Sequence, residues 1–230
     1  METTQRVIHR NGLFSKFLLV LVGLAVLFLC YTLVRENLPQ RLTRDWPWKL
    51  KLLDIQSATA AVLATGGASL ARAQYARTVR PAIGYFGRVM DGMAPDSRLA
   101  WACHLFNGGQ DVAVTTHLSY WVTYTSAAKA QGGAVDSSDW MTHQVAVDSM
   151  ESRALLSRRD FALDLIGAGR PIPGEQLMFL GWFTEEAMSE VENVFVRVQV
   201  VDRVGDTHER IINLLKGAIR TPFRPDPPPF

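Results

Sequence analysis

The strongest hydrophobic pattern in the chain is an unbroken apolar run near the N-terminus. Phe17 to Val34 contains eighteen residues and no charged side chain. As a helix, this run would be about 27 Å long, which matches the hydrocarbon core of a bilayer. It is longer than the apolar region of a typical signal peptide, and no small-x-small cleavage site follows it. We therefore predict an uncleaved transmembrane helix over residues 17–34.

Basic residues flank this run on both sides. Three precede it within the N-terminal tail, and five follow within the next seventeen residues: Arg6, Arg10 and Lys16, then Arg35, Arg41, Arg44, Lys49 and Lys51. The larger number after the run favours a cytoplasmic C-terminal domain. A short basic tail before a first helix, however, is typical of a cytoplasmic N-terminus. Orientation stays open, and the second arrangement is preferred.

A second uncharged stretch extends from Ile55 to Ala71. Gln56, several Ser and Thr residues and the pair Gly66-Gly67 make it only weakly apolar, so membrane insertion would be poorly favoured. We predict a buried helix, rich in small residues, that packs closely on a partner helix.

Helical spacing and capping signals appear at several places downstream. The predicted helices cover residues 48–90, with a break at Gly66-Gly67 and a new start at Pro81, and then residues 98–106, 147–166 and 206–218. Strict alternation of strand-forming residues predicts a strand over Val112–Thr125. A second strand is predicted over Val194–Val204, where a helix capped by Thr184 competes with it.

These elements predict an α+β fold that is predominantly helical, with one N-terminal transmembrane helix and a single extramembrane domain; an all-α fold is the alternative. The predicted segments are a basic tail at 1–16, the transmembrane helix at 17–34, a juxtamembrane linker at 35–47, the extramembrane domain at 48–221 and a Pro-rich tail at 222–230.

Composition excludes some classes of function. A net charge of +2 over 230 residues gives no reason to expect a nucleic-acid partner. The only cysteines are Cys30, inside the apolar run, and Cys103, so no disulfide framework is expected. The histidines lack the spacing of a metal site. We expect no catalytic, cofactor-binding or metal-binding residues; a tethered enzyme using His117, His143 and Asp148 is the competing hypothesis.

Four other features have ordinary structural interpretations. Residues 167–174, GAGRPIPG, lack the third glycine of a dinucleotide loop and are predicted to form a turn. The acidic pair Glu185-Glu186 is predicted in the first turn of a helix, and Arg158-Arg159 on an exposed face. A disordered end is the preferred interpretation of the Pro-rich tail; the alternative is docking into an aromatic groove of a partner, which its preference for polyproline II would suit.

By elimination, the sequence favours a non-enzymatic, single-pass subunit of a larger membrane complex. A bacterial secretion or conjugation machine in the inner membrane is the preferred setting. An accessory subunit of a respiratory-type complex, a membrane-tethered enzyme and a ligand-sensing domain are the alternatives. The expected partners are other membrane subunits and the lipid bilayer.

Overall fold

The computed structural model describes residues 2–39 and 53–223, which form two compact units. The first unit combines the N-terminal residues up to Arg10 with everything from Val79 onward, and the second covers Asn11–Thr78. The chain therefore leaves the first unit once, forms the second, and returns.

The second unit begins with helix α1, Leu13–Asn37, which contains the whole predicted apolar run. Among the described residues it is the one helix that is long and apolar enough to cross a membrane by its own length and composition, a property that a signal sequence shares. Its side chains are mostly exposed, and only three are buried: Leu18, Ala25 and Thr32. Their spacing of seven residues defines a single seam along the helix.

The second helix of this unit is α2, Ile55–Thr78. Asp54 caps its start, where the Ser57 N–H donates to the Asp54 carboxylate at 2.8 Å. The break predicted at Gly66-Gly67 is wrong, because the helix continues through both glycines. Each glycine costs a helix only about 1 kcal/mol, and the alanines around this pair are the best helix formers. Residues 40–52, which include part of the predicted linker, lie outside the described residues.

The two helices pack as an antiparallel pair, the helical hairpin. Arg72 of α2 lies over the Phe14 ring of α1, with 4.8 Å from its guanidinium carbon to the ring centre, and donates to the Ser15 hydroxyl at 3.3 Å. The more buried positions of α2 recur every three or four residues along the face toward α1: Ile55, Ala58, Val62, Thr65, Ser69, Arg72 and Ala76. This repeat is the one expected of two helices packed along one seam.

The first unit is a sandwich of two antiparallel sheets. Sheet A has the order β1-β9-β8-β4-β6, and sheet B the order β2-β3-β7-β5. Their bounds are β1 Arg6–His9, β2 Ile83–Met90, β3 Ala100–Asn107, β4 Ala113–Tyr124, β5 Phe161–Leu163, β6 Pro171–Ile172, β7 Leu177–Thr184, β8 Val191–Val201 and β9 Thr207–Asn213. Three short helices complete it: α3 Ser126–Ala130, α4 His143–Glu151 and α5 Glu185–Glu190.

The prediction of a predominantly helical protein is therefore wrong, as is the all-α alternative, since helix and strand occupy 34% and 32% of the chain. Three segments predicted as helix are strands: residues 83–90 form β2, 100–107 form β3 and 207–213 form β9. The helix predicted over 147–166 is reduced to α4, which starts earlier and ends at Glu151. Short apolar runs fit both helix and strand spacing, and pairing with neighbouring strands decided between them.

The two strands predicted from alternation are confirmed as β4 and β8, which lie side by side in sheet A. The Thr184 cap is also confirmed, although it starts the short α5 rather than a helix over 194–204: the Ala187 N–H donates to the Thr184 hydroxyl. Alternate valines of β8 are buried: Val194, Val196, Val198 and Val200. They meet Trp101, Leu105 and Phe183 of sheet B in one continuous core.

The N-terminal tail, predicted only as a basic segment, is a strand of this sandwich. Strand β1 pairs antiparallel with β9 at the edge of sheet A. The Thr3 N–H donates to the Ile211 carbonyl at 3.2 Å. Arg6 forms an ion pair with Glu209 at 2.6 Å, and the Glu209 side chain is only 5% exposed. Arg6, predicted only as part of a basic tail, therefore forms an ion pair within the sandwich.

Candidate functional site

The outward face of sheet A carries the most distinctive cluster of side chains in the sandwich. Because side chains alternate along a strand, the residues between the buried valines of β8 point outward. Phe195 and Arg197 are two of these, and each lies opposite a residue of β4: Trp121 and Ser119, respectively. An aromatic and a cationic residue thus come together at the centre of the sheet.

Trp140 completes this cluster from the loop before α4. The loop is held against β4 by a pair of backbone hydrogen bonds of 2.8 Å between Tyr120 and Met141. The Trp140 ring packs over the Arg197 guanidinium, 4.2 Å from carbon to ring centre, and lies 5.9 Å from the Trp121 ring. We call Trp121, Trp140 and Arg197 the Trp–Arg cluster.

Two donors inside the cluster lack a hydrogen-bond partner among residues 2–39 and 53–223. They are the Arg197 Nε–H and the hydroxyl of Ser119, both buried. Ser119 is only 4% exposed. A buried polar group without a partner costs about 1–3 kcal/mol. Both unpaired donors are enclosed by the protein, next to each other on paired positions of β4 and β8.

A polar row borders the cluster on the same face. Gln199 and Arg6 both donate to the Glu209 carboxylate, at 2.8 and 2.6 Å. Burial acts to raise the pKa of Glu209, but these hydrogen bonds and the positive charges of Arg6 and Arg197 outweigh it and hold the pKa below its ordinary value. Glu209 therefore stays ionised at neutral pH, and the charge of Arg197 contributes to this.

The outward face of sheet B is less polar. His104 lies between Phe86 and Phe179 in a row across β2, β3 and β7, with ring centres 6.3 and 5.6 Å away. Burial, followed by the charge of Arg88, lowers the pKa of His104. Its Nδ1 is buried and has no partner in the described part of the chain. This is a second aromatic surface, and its cation is held less closely: the Arg88 guanidinium carbon lies 6.0 Å from the centre of the Phe86 ring, against 4.2 Å for Arg197 and Trp140.

The histidines and the aspartate of the competing enzyme hypothesis occupy unrelated settings. His117 is exposed beside a bulge of β4. The Nε2 of His143 lies 3.0 Å from the Leu163 carbonyl, while its ring packs edge-on against Tyr120. Asp148 is exposed and accepts a hydrogen bond from Gln144. The three side chains do not share a cleft.

Cys103 lies in the core of the sandwich. Its thiol, the Trp101 indole and the Tyr85 hydroxyl all donate to the Leu214 carbonyl, at 3.3 Å for Cys103 and 3.0 Å for Trp101. Burial raises the pKa of Cys103 to about 12. The thiolate that a nucleophile requires is therefore scarce at neutral pH. Burial raises the Tyr85 pKa as well.

One buried pair was not anticipated. His208 and Asp202 are both almost fully buried and lie 2.8 Å apart at the β8–β9 turn. Asp202 also accepts the backbone N–H groups of Val204 and Asp206, which closes that turn. The pair could not be recognised in the sequence, because residues 206–209, which include His208, resemble a helix capping box. The pair has no neighbouring nucleophile in the described chain, and its contacts are structural.

The remaining sequence features have local roles. Residues 167–174, predicted to form a turn, include strand β6, and Arg170 just before that strand pairs with Asp164 at 3.1 Å. Glu186, in the first turn of α5, meets Arg98 at 3.2 Å. Arg159 pairs with the buried Asp160 at 2.9 Å. The Pro-rich tail from residue 224 onward lies outside the described residues.

No group of three or more His, Cys, Asp or Glu side chains within residues 2–39 and 53–223 is arranged to hold a metal ion. A shallow cavity of about 340 Å³ lies between the two sheets at Gln5, Tyr85, Phe106 and Arg210. A comparison of the sequence with protein-family models finds no matching family, and a search of curated proteins finds no similar sequence.

Proposed function

We propose that this protein is a non-enzymatic subunit of a larger membrane assembly, held in the bilayer by α1, and that its sandwich docks a neighbouring subunit through the Trp–Arg cluster. The cluster carries the proposal. Tryptophan and arginine dominate the energetic centres of protein interfaces, where they are packed and shielded from water. Here both types are already packed together on the outward face of a rigid sheet.

The charge of Arg197 supports the same proposal. Arg197 is half-buried beside the Trp140 ring, and its guanidinium suits a carboxylate or a backbone carbonyl of the neighbour. Because Arg197 is pre-positioned by the Trp140 ring, binding would order few additional side chains, which lowers the entropic cost of association. A bacterial secretion or conjugation machine remains our preferred kind of assembly, and a respiratory-type complex is the alternative.

Comparative purification tests this proposal. We would extract the tagged full chain in mild detergent and compare wild type with Trp140→Ala and Arg197→Ala. Leu165→Ala is the matched control, since Leu165 is 67% exposed and lies outside the cluster. We expect wild type and the control to form one large particle with defined companions, and both cluster variants to lose a companion from it.

Thermal unfolding of the same samples separates docking from folding. The Trp–Arg variants should keep a folded sandwich, because exposed and half-exposed substitutions away from the core change stability little. A wild-type chain that purifies alone would contradict the proposal. So would an unchanged set of companions in both folded cluster variants. Either result would favour the alternative of a ligand-sensing domain, with the cavity near Arg210 as its candidate site.

A further inference from the structure

One side chain joins the N-terminal tail to the segment that follows α2. Gln5 lies immediately before β1, and Pro81 and Ile83 lie just after α2. The Gln5 amide donates to the Pro81 carbonyl at 2.6 Å and accepts from the Ile83 N–H at 2.8 Å. The tail before α1 and the segment after α2 therefore belong to the same folded unit.

Strand β1 restricts how α1 can be placed in a bilayer. In a single-pass protein, the segment before the transmembrane helix and the domain after it lie on opposite sides of the membrane. Here β1 is hydrogen-bonded to β9, and Arg6 reaches the Glu209 carboxylate. Such bonds are about 3 Å long, whereas the hydrocarbon core is about 30 Å thick. If α1 crosses the membrane, the chain must cross back before Val79.

Helix α2 is placed to make that return. Its uncharged segment, Ile55–Ala71, has seventeen residues and, as a helix, spans about 26 Å. Arg72, at one end of this segment, lies beside Phe14 and Ser15 of α1. Nineteen residues separate Ser15 from Val34, and nineteen residues before Arg72 is Leu53. The two uncharged segments are therefore aligned side by side, with charged residues at both ends.

The polar groups of α2 suit this position better than its composition suggests. The Thr65 hydroxyl donates to the Ala61 carbonyl at 2.7 Å, so its hydrogen bond is made inside the helix. Thr32 of α1 does the same with the Phe28 carbonyl. Such internal bonds remove the main cost of placing a hydroxyl in lipid. Large apolar side chains point away from the seam, with Leu63 70% and Leu27 66% exposed.

We infer that α1 and α2 cross the bilayer together as a helical hairpin, with lipid hydrocarbon covering its outward faces and with residues 2–10 and 79–223 on the same side. The uncleaved state follows from the same contacts. Removal of α1 as a signal peptide would also remove β1, which would leave Glu209 without Arg6 and break the Gln5 bonds to Pro81 and Ile83.

Site-directed cysteine labelling tests this topology. In a Cys30→Ala background, where Cys103 is buried, we would introduce Thr4→Cys in the tail, Asn37→Cys at the far end of α1 and Ser138→Cys in an exposed loop of the sandwich. A membrane-impermeant maleimide is applied to sealed membrane vesicles before and after permeabilisation. The Cys30→Ala background alone controls for labelling of Cys103.

We expect the cysteines at positions 4 and 138 to react from the same side and the one at position 37 from the opposite side. Reaction of positions 4 and 138 from opposite sides would establish a single crossing and overturn the inference. Reaction of all three from one side would also overturn it, because the hairpin would then lie outside the bilayer. The pattern does not depend on which subunits co-purify, so it is independent of the proposed docking function.

A matched pair of positions tests the lipid contact itself. Leu63 in the middle of α2 and Leu165 on the sandwich are exposed to similar degrees, 70% and 67%. With Leu63→Cys and Leu165→Cys in intact membranes, we expect the first to react with maleimide on the order of tenfold or more slowly, since thiolate formation needs water. Equal rates would place α2 in water and contradict the inference. Denaturation in detergent should equalise them.

Discussion

The helical hairpin and the sandwich use apolar residues in opposite ways. Along β8, every second residue is a buried valine that meets sheet B. Along α1, the apolar residues surround the helix, and only Leu18, Ala25 and Thr32 are buried. The sandwich therefore provides its own apolar environment, whereas the hairpin requires one from outside. Hydrophobicity alone does not distinguish a core from a membrane segment; the distribution of buried positions does.

Replacing one large apolar side chain in the sandwich and one in the helical hairpin should give the largest difference in the free energy of unfolding. Phe183 is fully buried between the sheets, and Phe183→Ala should lower the free energy of unfolding of the sandwich by about 3–5 kcal/mol. Leu27→Ala, at an exposed position of α1, should leave it unchanged. Denaturant unfolding of the full chain in detergent, followed by tryptophan fluorescence, measures both. Similar losses would mean that the two regions share one core.

The N-terminal tail belongs to the sandwich, and Gln5→Ala tests this assignment. Loss of its two bonds leaves the Pro81 carbonyl and the Ile83 N–H without their partner, which should cost about 1–3 kcal/mol. Hydrogen exchange of β1 and β9 should become faster in this variant. Thr4→Ala, at an exposed neighbouring position, is the control. A Gln5 variant as stable as this control would show that the tail contributes nothing to the sandwich.

Acid should weaken the sandwich through Glu209. Its pKa in the folded protein lies below the ordinary value of 4.5, because hydrogen bonds and positive charge outweigh the effect of burial. The ionised group thus stabilises the fold above pH 4.5, and this contribution is lost as pH falls through the lower folded-state pKa. We expect Arg6→Ala to make the loss of stability on acidification smaller. Urea midpoints between pH 6 and pH 3 measure this effect.

Arg10→Ala is the matched control for that series, since Arg10 is exposed and lies outside β1. Its acid profile should match wild type. If Arg6→Ala and wild type lose stability in parallel, the Arg6–Glu209 pair does not set the pKa of Glu209.

The smallest expected effect is chemical rather than energetic. Cys103 is buried by protein, and its pKa is raised to about 12, so it should stay unmodified by maleimide in the folded chain at neutral pH. Cys30 lies on an exposed face of α1 and is not covered by protein, so any label gained by the folded chain in mild detergent should be on Cys30 and not on Cys103. Mass spectrometry counts the labels. A label on Cys103 in the folded protein would contradict its place in the core.

Some local features followed from the sequence because they depend on few neighbours. Helix α1 was predictable, since eighteen uncharged residues in a row suit few other structures. Strands β4 and β8 were predictable from alternation, which requires a sheet but not a particular partner. The Thr184 cap was correct because capping acts within one turn of helix.

Other predictions were wrong because the local sequence suited a helix and a strand equally well. Ala100–Asn107 is a short, mostly apolar segment, and its place as β3 between β2 and β7 made it a strand. Residues 206–209 resemble a capping box, yet His208 is drawn into the core by Asp202 and the strand pairs with β8. Each of these strands also pairs with a strand that is distant in sequence, β3 with β7 and β9 with β1, and no local pattern specifies those partners.

The Trp–Arg cluster was equally inaccessible from sequence. Trp140 and Arg197 are far apart along the chain, and their contact depends on the pairing of β4 with β8 and on the loop bond between Tyr120 and Met141. Nothing in their local spacing indicates an interaction. The number of aromatic residues in the sequence therefore could not indicate where a docking surface lies.

By itself, the sequence determined that the chain contains one strongly apolar helix and two alternating strands, because helix length and side-chain alternation are properties of a continuous segment. The tertiary structure alone decided that the N-terminal tail is an edge strand beside β9 and that α2 lies in register with α1. Both are contacts between segments far apart in sequence, and their energies come from burial and hydrogen bonds that exist only once those segments meet.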